Sequence, residues 1–268
     1  ELPRLLTGFM AAILYHSCYS VESMPRGEKT SVCVILAYNC ANVLERTYTR
    51  IPKDSVGRII LVDDASTDDT LKVAKRLGIE TYTHGHLGYG GNVKYSIRKG
   101  IELGAEYIVD LHGDGQYDPS AIPAALAKAR EGYDLVLGSR FIDPLQPLQD
   151  HMSLARYLAN IGLSTIERLV LNLPLSEFHT GFRVYTKRLA ETVALDAASD
   201  DFLFSFEIIT QAKFAGLRIG EIPIRCSYKE EHTSISIPRS ILYSFLTFKT
   251  LALYALAKAG FKLKLFTL

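Results

Sequence analysis

Leu61-Val62-Asp63-Asp64-Ala65-Ser66-Thr67-Asp68 and Val109-Asp110-Leu111-His112-Gly113-Asp114-Gly115-Gln116 decide how this chain is read. In each, carboxylates follow directly on a run of β-forming apolar residues. Short continuous apolar runs are the pattern of strands buried on both faces of a parallel sheet, and ligands collect beyond the carboxyl ends of such strands. Both acidic clusters therefore fall on one edge. Carboxylates gathered there can approach an anionic ligand such as a nucleotide diphosphate only across a cation, so the pattern predicts Mg²⁺ or Mn²⁺ between the two.

Outward from these runs the chain alternates strand and helix. Strands are predicted at 31–37, 58–62, 79–83, 107–111 and 134–138 by β-branched and apolar content. Helical patterns lie between them at 68–77, 91–103 and 119–130, the first opening on capping residues and the last on a proline in its first turn. Such alternation predicts an α/β fold with a mostly parallel sheet flanked by helices. After Arg140 the rhythm changes. The breaker-rich Asp143-Pro144-Leu145-Gln146-Pro147 precedes a long helical stretch at 152–171, a helix at 204–215 and a strand at 217–224. The organisation expected is an N-terminal extension (1–30), one catalytic domain (31–236) and a C-terminal helical segment (237–268).

The order of motifs carries a resemblance. Tyr38-Asn39 after the first strand, Val62-Asp63-Asp64-Ala65-Ser66 after the second, Gly88-Tyr89-Gly90-Gly91-Asn92 before a helix, Gly113-Asp114-Gly115-Gln116 and Gly138-Ser139-Arg140 together resemble family 2 glycosyltransferases of the GT-A (Rossmann-like) fold. Glu177-Phe178-His179-Thr180-Gly181-Phe182-Arg183 resembles the Asp-x-x-Ser-Gly-Phe-Arg motif of the dolichyl- or polyprenyl-phosphate sugar synthase branch, such as dolichyl-phosphate mannose synthase. Phe204-Ser205-Phe206-Glu207-Ile208 and Gly220-Glu221-Ile222-Pro223-Ile224 resemble its closing motifs.

The resemblance implies a division of labour. Ala37, Tyr38 and Asn39 would wall the base pocket, with Asp64, and less directly Asp63, accepting hydrogen bonds from base or ribose; helix capping is the competing role for Asp64. Gly88, Gly90 and Gly91 would let backbone approach an anion at a helix N-terminus, or simply make a turn. Asp114 and Gln116 would hold the metal. The family's Asp-x-Asp aligns here with His112-Gly113-Asp114, so an imidazole replaces one carboxylate. His112 could then ligate Mn²⁺, bond a phosphate or be a satisfied structural histidine, or Asp110 could take over the missing role. Arg140, Arg156 and Arg183 would separate the donor's pyrophosphate from an anionic acceptor. Glu177, then Glu207, would be the base if the acceptor is a hydroxyl; otherwise Glu177 would partner an arginine.

The partners implied are a nucleotide-diphosphate sugar, with GDP-mannose favoured over UDP-sugars, a polyprenyl-phosphate or lipid-linked acceptor, and a membrane surface. Formal net charge is +1 over 268 residues, and the basic footprint of a nucleic-acid binder is missing. From His232 onward there is no Asp or Glu, while Arg239, Lys249, Lys258, Lys262 and Lys264 interleave with apolar residues. That suits an interfacial helix on an anionic membrane, because Lys249 divides the apolar run; the alternatives are a helix packed on the domain or a span beyond Leu268. The polar stretch 229–236 would be an acceptor loop. The apolar run 5–15 resembles a signal-peptide core. A nucleotide-sugar site is useful in the cytosol, however, so the expected place is the cytosolic membrane face. Four cysteines without C-x-x-C spacing argue against zinc and disulfides. The competing functions are transfer to a lipid-linked or soluble saccharide and non-catalytic nucleotide-sugar binding. A Rossmann oxidoreductase lacks its G-x-G-x-x-G after the first strand, and a nucleotidyltransferase lacks a Lys-containing glycine loop there.

Overall fold

The protein is described from a computed structural model covering residues 30–228 and 237–267. The expected N-terminal extension up to residue 29, with its apolar run 5–15, and the expected acceptor loop 229–236 lie outside these described residues. Seven strands form one sheet: β1 (Ser31–Ala37), β2 (Arg58–Asp63), β3 (Glu80–Thr83), β4 (Tyr107–His112), β5 (Leu135–Ser139), β6 (Arg183–Thr186) and β7 (Ile219–Pro223), in the order β3-β2-β1-β4-β6-β5-β7. Every neighbouring pair is parallel except the two made by β6. The helices described are α1 (Ala41–Thr49), α2 (Thr70–Arg76), α3 (Gly88–Glu102), α4 (Ile122–Arg130), α5 (Gln146–Gln149), α6 (Leu154–Leu171), α7 (Lys187–Thr192), α8 (Phe204–Phe214) and α9 (Ile237–Lys258).

Strand alternation sorts the core into two layers. Val32, Val34 and Leu36 of β1 join Ile60, Val62 and Ile108 beneath α3 and α8. Cys33, Ile35 and Ala37 face the other way, with Leu61, Val109 and Leu111, onto α1 and α4. Burial on both sides is why these strands read as continuous apolar runs. Cys33, Cys40 and Cys226 are buried free thiols.

Helices α1, α5 and α7 were not among those expected, α5 opening in the stretch read as a breaker-rich loop, and two further elements depart from the sequence reading. β6 was not expected: it opens on Arg183 and spans four residues, too short for alternation to register. It lies antiparallel between β4 and β5, pairing Val184 with Val109 and Val136. The C-terminal apolar stretches, read as divided by Lys249, form a single 22-residue helix. Lys249 sits on its exposed side, whereas Thr247, Thr250, Leu251, Tyr254 and Ala257 are buried at helical spacing. Leu251, Tyr254 and Ala257 belong to the core layer that contains α8. Residues Arg239–Lys258 have a mean hydropathy of 1.4, and by length and composition this helix can cross a membrane.

Candidate active site

The strand order reverses at β1. From there β2 and β3 run to one side and β4 begins the other, which opens the crevice where α/β sheets hold ligands. The last carbonyls of β1 tie its neighbours' loops together. Leu36 O accepts from Gly113 N at 2.8 Å, and Ala37 O accepts from Asp64 N at 2.9 Å. Both acidic segments are thereby drawn to one point, as their positions after apolar runs predicted.

On the β2 side, Asn39 adopts a left-handed φ of 49°, and its Oδ1 accepts from the backbone of Thr67 at 2.8 Å and Asp68 at 3.3 Å. Its own N–H donates to Ser66 Oγ. Asn39 is thus the brace between two loops, and Tyr38, half exposed, presents its ring beside His86, 5.0 Å between centroids. Asp63 accepts from Ser66 N through Oδ2, while its buried Oδ1 has no hydrogen-bond partner among the described residues. Asp64 accepts from Leu87 N at 2.6 Å and Gly88 N at 3.1 Å, and stands 2.9 Å from His86 Nδ1. Its carboxylate therefore fastens the start of α3.

The glycines of that start make a close approach, and it is to the protein itself. A Cβ on Gly90 would fall 2.4 Å from Ser199 O and 2.7 Å from Phe204 Cβ. Gly91 N donates to Asp200 O, and the buried Lys94 ammonium holds Ala198 O at 2.8 Å and Asp200 Oδ1 at 2.5 Å. Gly90→Ala is expected to cost about 1–3 kcal/mol through overpacking. Thermal denaturation checks it.

The turn after β4 carries Asp114, partly exposed, whose Oδ1 accepts from Gln116 N at 3.0 Å. His112, behind it, packs its ring edge-on to Tyr89 and Tyr117 at 5.4 Å each and lies so close to Gly181 that a Cβ there would sit 2.5 Å from Nε2. Burial, seconded by the Arg183 charge and opposed by Asp114, holds His112 below the ordinary imidazole range. The neutral ring has a buried Nε2 with no hydrogen-bond partner among the described residues. No three His, Cys, Asp or Glu side chains among those residues gather as a metal cage. The donor set of Asp114 and Gln116, with neutral His112 behind, fits a hard cation that takes its remaining oxygens from phosphates and water.

Across the turn lies a buried ion pair. Arg140 donates from Nε to Glu177 Oε1 at 2.8 Å, its Nη2 also bonds Glu177, and its backbone N–H meets Oε2 at 2.8 Å. Nη1 donates to Tyr228 Oη at 2.6 Å. Arg156 of α6 lies on the ring of the same Tyr228, its Cζ 5.8 Å from the centroid. Glu177 is fully buried and both its oxygens are taken, which is the arginine-partner role named for it above. Glu207 accepts from Ser199 N at 2.6 Å.

Arg183 is the clearest departure from its expected role. It is fully buried, and its three nitrogens donate to the carbonyls of Thr180, Ser205 and Phe178 at 3.0, 2.5 and 3.2 Å. It stitches segments together beneath the site and does not present itself to a ligand. Asp110, facing it across the β4–β6 pair, lies inside the sheet with burial raising its carboxyl to about 8 against the pull of Arg183 and Tyr185. It does not replace the missing carboxylate at the turn. Unfolded, such a carboxyl ionises near about pH 4. Between there and about pH 8 the unfolded chain binds fewer protons than the folded one, so stability falls as pH rises through that window. Asp110→Asn is expected to flatten this slope in melting temperatures taken across it.

Tyr117 was not singled out in the sequence, yet it connects the halves of the site. Its hydroxyl accepts from Gly181 N at 2.8 Å, its ring meets His112, and its backbone bridges to Cys226. Through these contacts Tyr117 ties the segment that carries Gly181 and the segment that carries Cys226 to the turn after β4. Lone aromatic residues leave no signal of such a role.

Residues 32–194 match glycosyl transferase family 2. The chain belongs to this family. Among its sequence relatives are the UDP-N-acetylglucosamine–dolichyl-phosphate N-acetylglucosaminyltransferase of Methanococcus voltae, 26% identical over 83% of this chain and 97% of that protein, and the undecaprenyl-phosphate mannosyltransferase of Micrococcus luteus, 29% identical over 71% and 81%. Both names match the polyprenyl-phosphate sugar synthase branch. A solved structure of glucosyl-3-phosphoglycerate synthase from Mycobacterium tuberculosis with Mn²⁺, UDP-glucose and phosphoglyceric acid superposes with a TM-score of 0.60 at 16% identity, over 84% of this chain and 79% of that one. This likeness shows the GT-A fold.

Proposed function

We propose that this glycosyltransferase moves a sugar from a nucleotide diphosphate to a polyprenyl phosphate at the cytosolic face of a membrane, with inversion and with Mg²⁺ or Mn²⁺ bound. The observation that carries the choice of acceptor is the engagement of the carboxylates. Glu177 is spent on Arg140 and Glu207 on Ser199, so neither stands ready to deprotonate a hydroxyl. A phosphate acceptor is already ionised and needs no base.

Asp114, with Gln116 or His112 beside it, would hold the cation, which would supply charge neutralisation for the departing diphosphate. Arg140, bonded to the Tyr228 hydroxyl, and Arg156, over its ring, would receive the acceptor phosphate. Leu154, Leu158 and Ile161 recur on one exposed face of the helix that carries Arg156, a surface suited to an apolar tail. Exposed Ile241, Phe245 and Phe248 of α9 support the same membrane surface. Arg156→Ala is expected to raise the acceptor KM about tenfold with donor affinity unchanged, consistent with about 1.4 kcal/mol for one charge-assisted contact.

GDP-mannose, implied by the motifs, stands beside UDP-sugars, since the relatives' names divide between mannose and N-acetylglucosamine. Transfer of radiolabel from GDP- and UDP-sugars to short polyprenyl phosphates, with and without chelator, tests the whole reading. Chelator-sensitive label in the organic phase that mild acid releases is the expected result. Nucleotide binding without transfer to lipid would favour a saccharide acceptor or a non-catalytic binder.

A further inference from the structure

The segment from Glu177 to Gly181 touches Arg140, His112 and Tyr117. Glu177 holds Arg140, while Gly181 packs on His112 and donates to Tyr117. Between them, His179 sends its side chain to two helices instead. Its Nε2 lies 3.0 Å from Glu167 Oε1 of α6, and its Nδ1 lies 2.9 Å from the Tyr243 hydroxyl of α9. The ring rests against Phe206 and Tyr243. Its backbone carbonyl accepts from Arg140 Nη2 at 3.3 Å.

Glu167 is fully buried, and among the described residues His179 is the only close partner of its carboxylate. A carboxylate removed from water is tolerated only when a donor or cation faces it. The two side chains stand in close contact, but neither the Glu167 oxygens nor His179 Nε2 completes a hydrogen bond among the described residues, so the hydrogen bond that orients the ring is the one to Tyr243. The imidazole's two nitrogens are divided between α6 and α9, and its carbonyl reports their position to the arginine. Tyr243 sits on the helix whose outer side carries the exposed Ile241, Leu242, Phe245 and Phe248. A shift of α9 cannot leave the Tyr243–His179 bond unchanged.

We propose that His179 is a positioning residue that transmits the seating of α9, through Tyr243, to Arg140, and so couples the apolar C-terminal helix to the acceptor side of the site. The proposal rests on the phosphate-acceptor reading above. A clamp that served the fold alone would alter stability and both substrates together. A positioning clamp alters the acceptor step selectively.

Tyr243→Phe in the full chain removes one hydroxyl and keeps the ring. With farnesyl phosphate as acceptor, it is expected to lower kcat/KM for that acceptor about tenfold, the loss of one well-placed hydrogen bond. Affinity for UDP and GDP, titrated separately, stays within about twofold, and the melting temperature is held. His179→Gln is expected to lower acceptor kcat/KM by a similar factor, and the double variant to lose no more than the larger single loss, because both break one linkage. Unchanged acceptor kinetics in Tyr243→Phe, or parallel losses for acceptor and nucleotide, would overturn the proposal while leaving the acceptor reading intact. A wild-type protein that binds nucleotide but glycosylates no prenyl phosphate would defeat that reading, and this proposal with it.

Discussion

Asp114→Ala is expected to lower sugar transfer by a factor of about a thousand or more, equivalent to about 4 kcal/mol of transition-state stabilisation. Among the described residues, Asp114 is the carboxylate on the turn after β4 that is partly exposed, its Oδ1 accepting from the backbone N–H of Gln116. Asp110 is sealed in the sheet, and Asp64 is committed to the start of α3. Among the described residues at these two strand ends, Asp63 also keeps an oxygen without a hydrogen-bond partner, but that oxygen is buried. The loss should fall mainly on kcat, because charge builds on the diphosphate as the sugar leaves. His112→Ala should weaken turnover about tenfold, since its neutral ring adds a donor atom but no charge. Initial rates across a Mn²⁺ titration, with nucleotide affinity measured alongside, check both. Full activity in Asp114→Ala would falsify the assignment of the metal turn.

How far the sequence could be read follows from what each residue does. The central strands were legible because burial on both faces imposes uninterrupted apolar runs, and β1 falls at Ser31–Ala37, the span expected of it. The placement of both acidic segments at one edge followed from chain direction alone. β6 was illegible because its stability comes from neighbours on both sides and not from its four residues. Roles within the site were harder. Arg140 pairs with Glu177 and Tyr228, and Arg183, in an equally recognisable motif, spends its guanidinium on carbonyls. A charge in a motif does not state which way it faces. Tyr117 and His179 act through tertiary contacts about sixty residues apart, and no local pattern marks them.

Breaking the Arg140–Glu177 pair is the second large effect. Glu177→Ala leaves a buried guanidinium facing a void, and removal of one partner from such a pair costs about 3–5 kcal/mol. Glu177→Gln keeps the shape and one acceptor oxygen, so it should cost less; its loss relative to the wild type, read from denaturant midpoints, isolates the charge, and the further loss in Glu177→Ala reports the shape and the remaining hydrogen bond. Joint replacement, Arg140→Met with Glu177→Leu, is the sharper test. Apolar residues of similar volume avoid the desolvation penalty altogether, so stability should return close to that of the wild type. Activity should not return, because the acceptor phosphate then meets no fixed guanidinium beside Tyr228. A doubly substituted protein that is both stable and active would mean that the pair serves the fold alone. A stable and inactive one would mean that a costly buried charge is kept at this position for function, as the proposed phosphate-binding role requires.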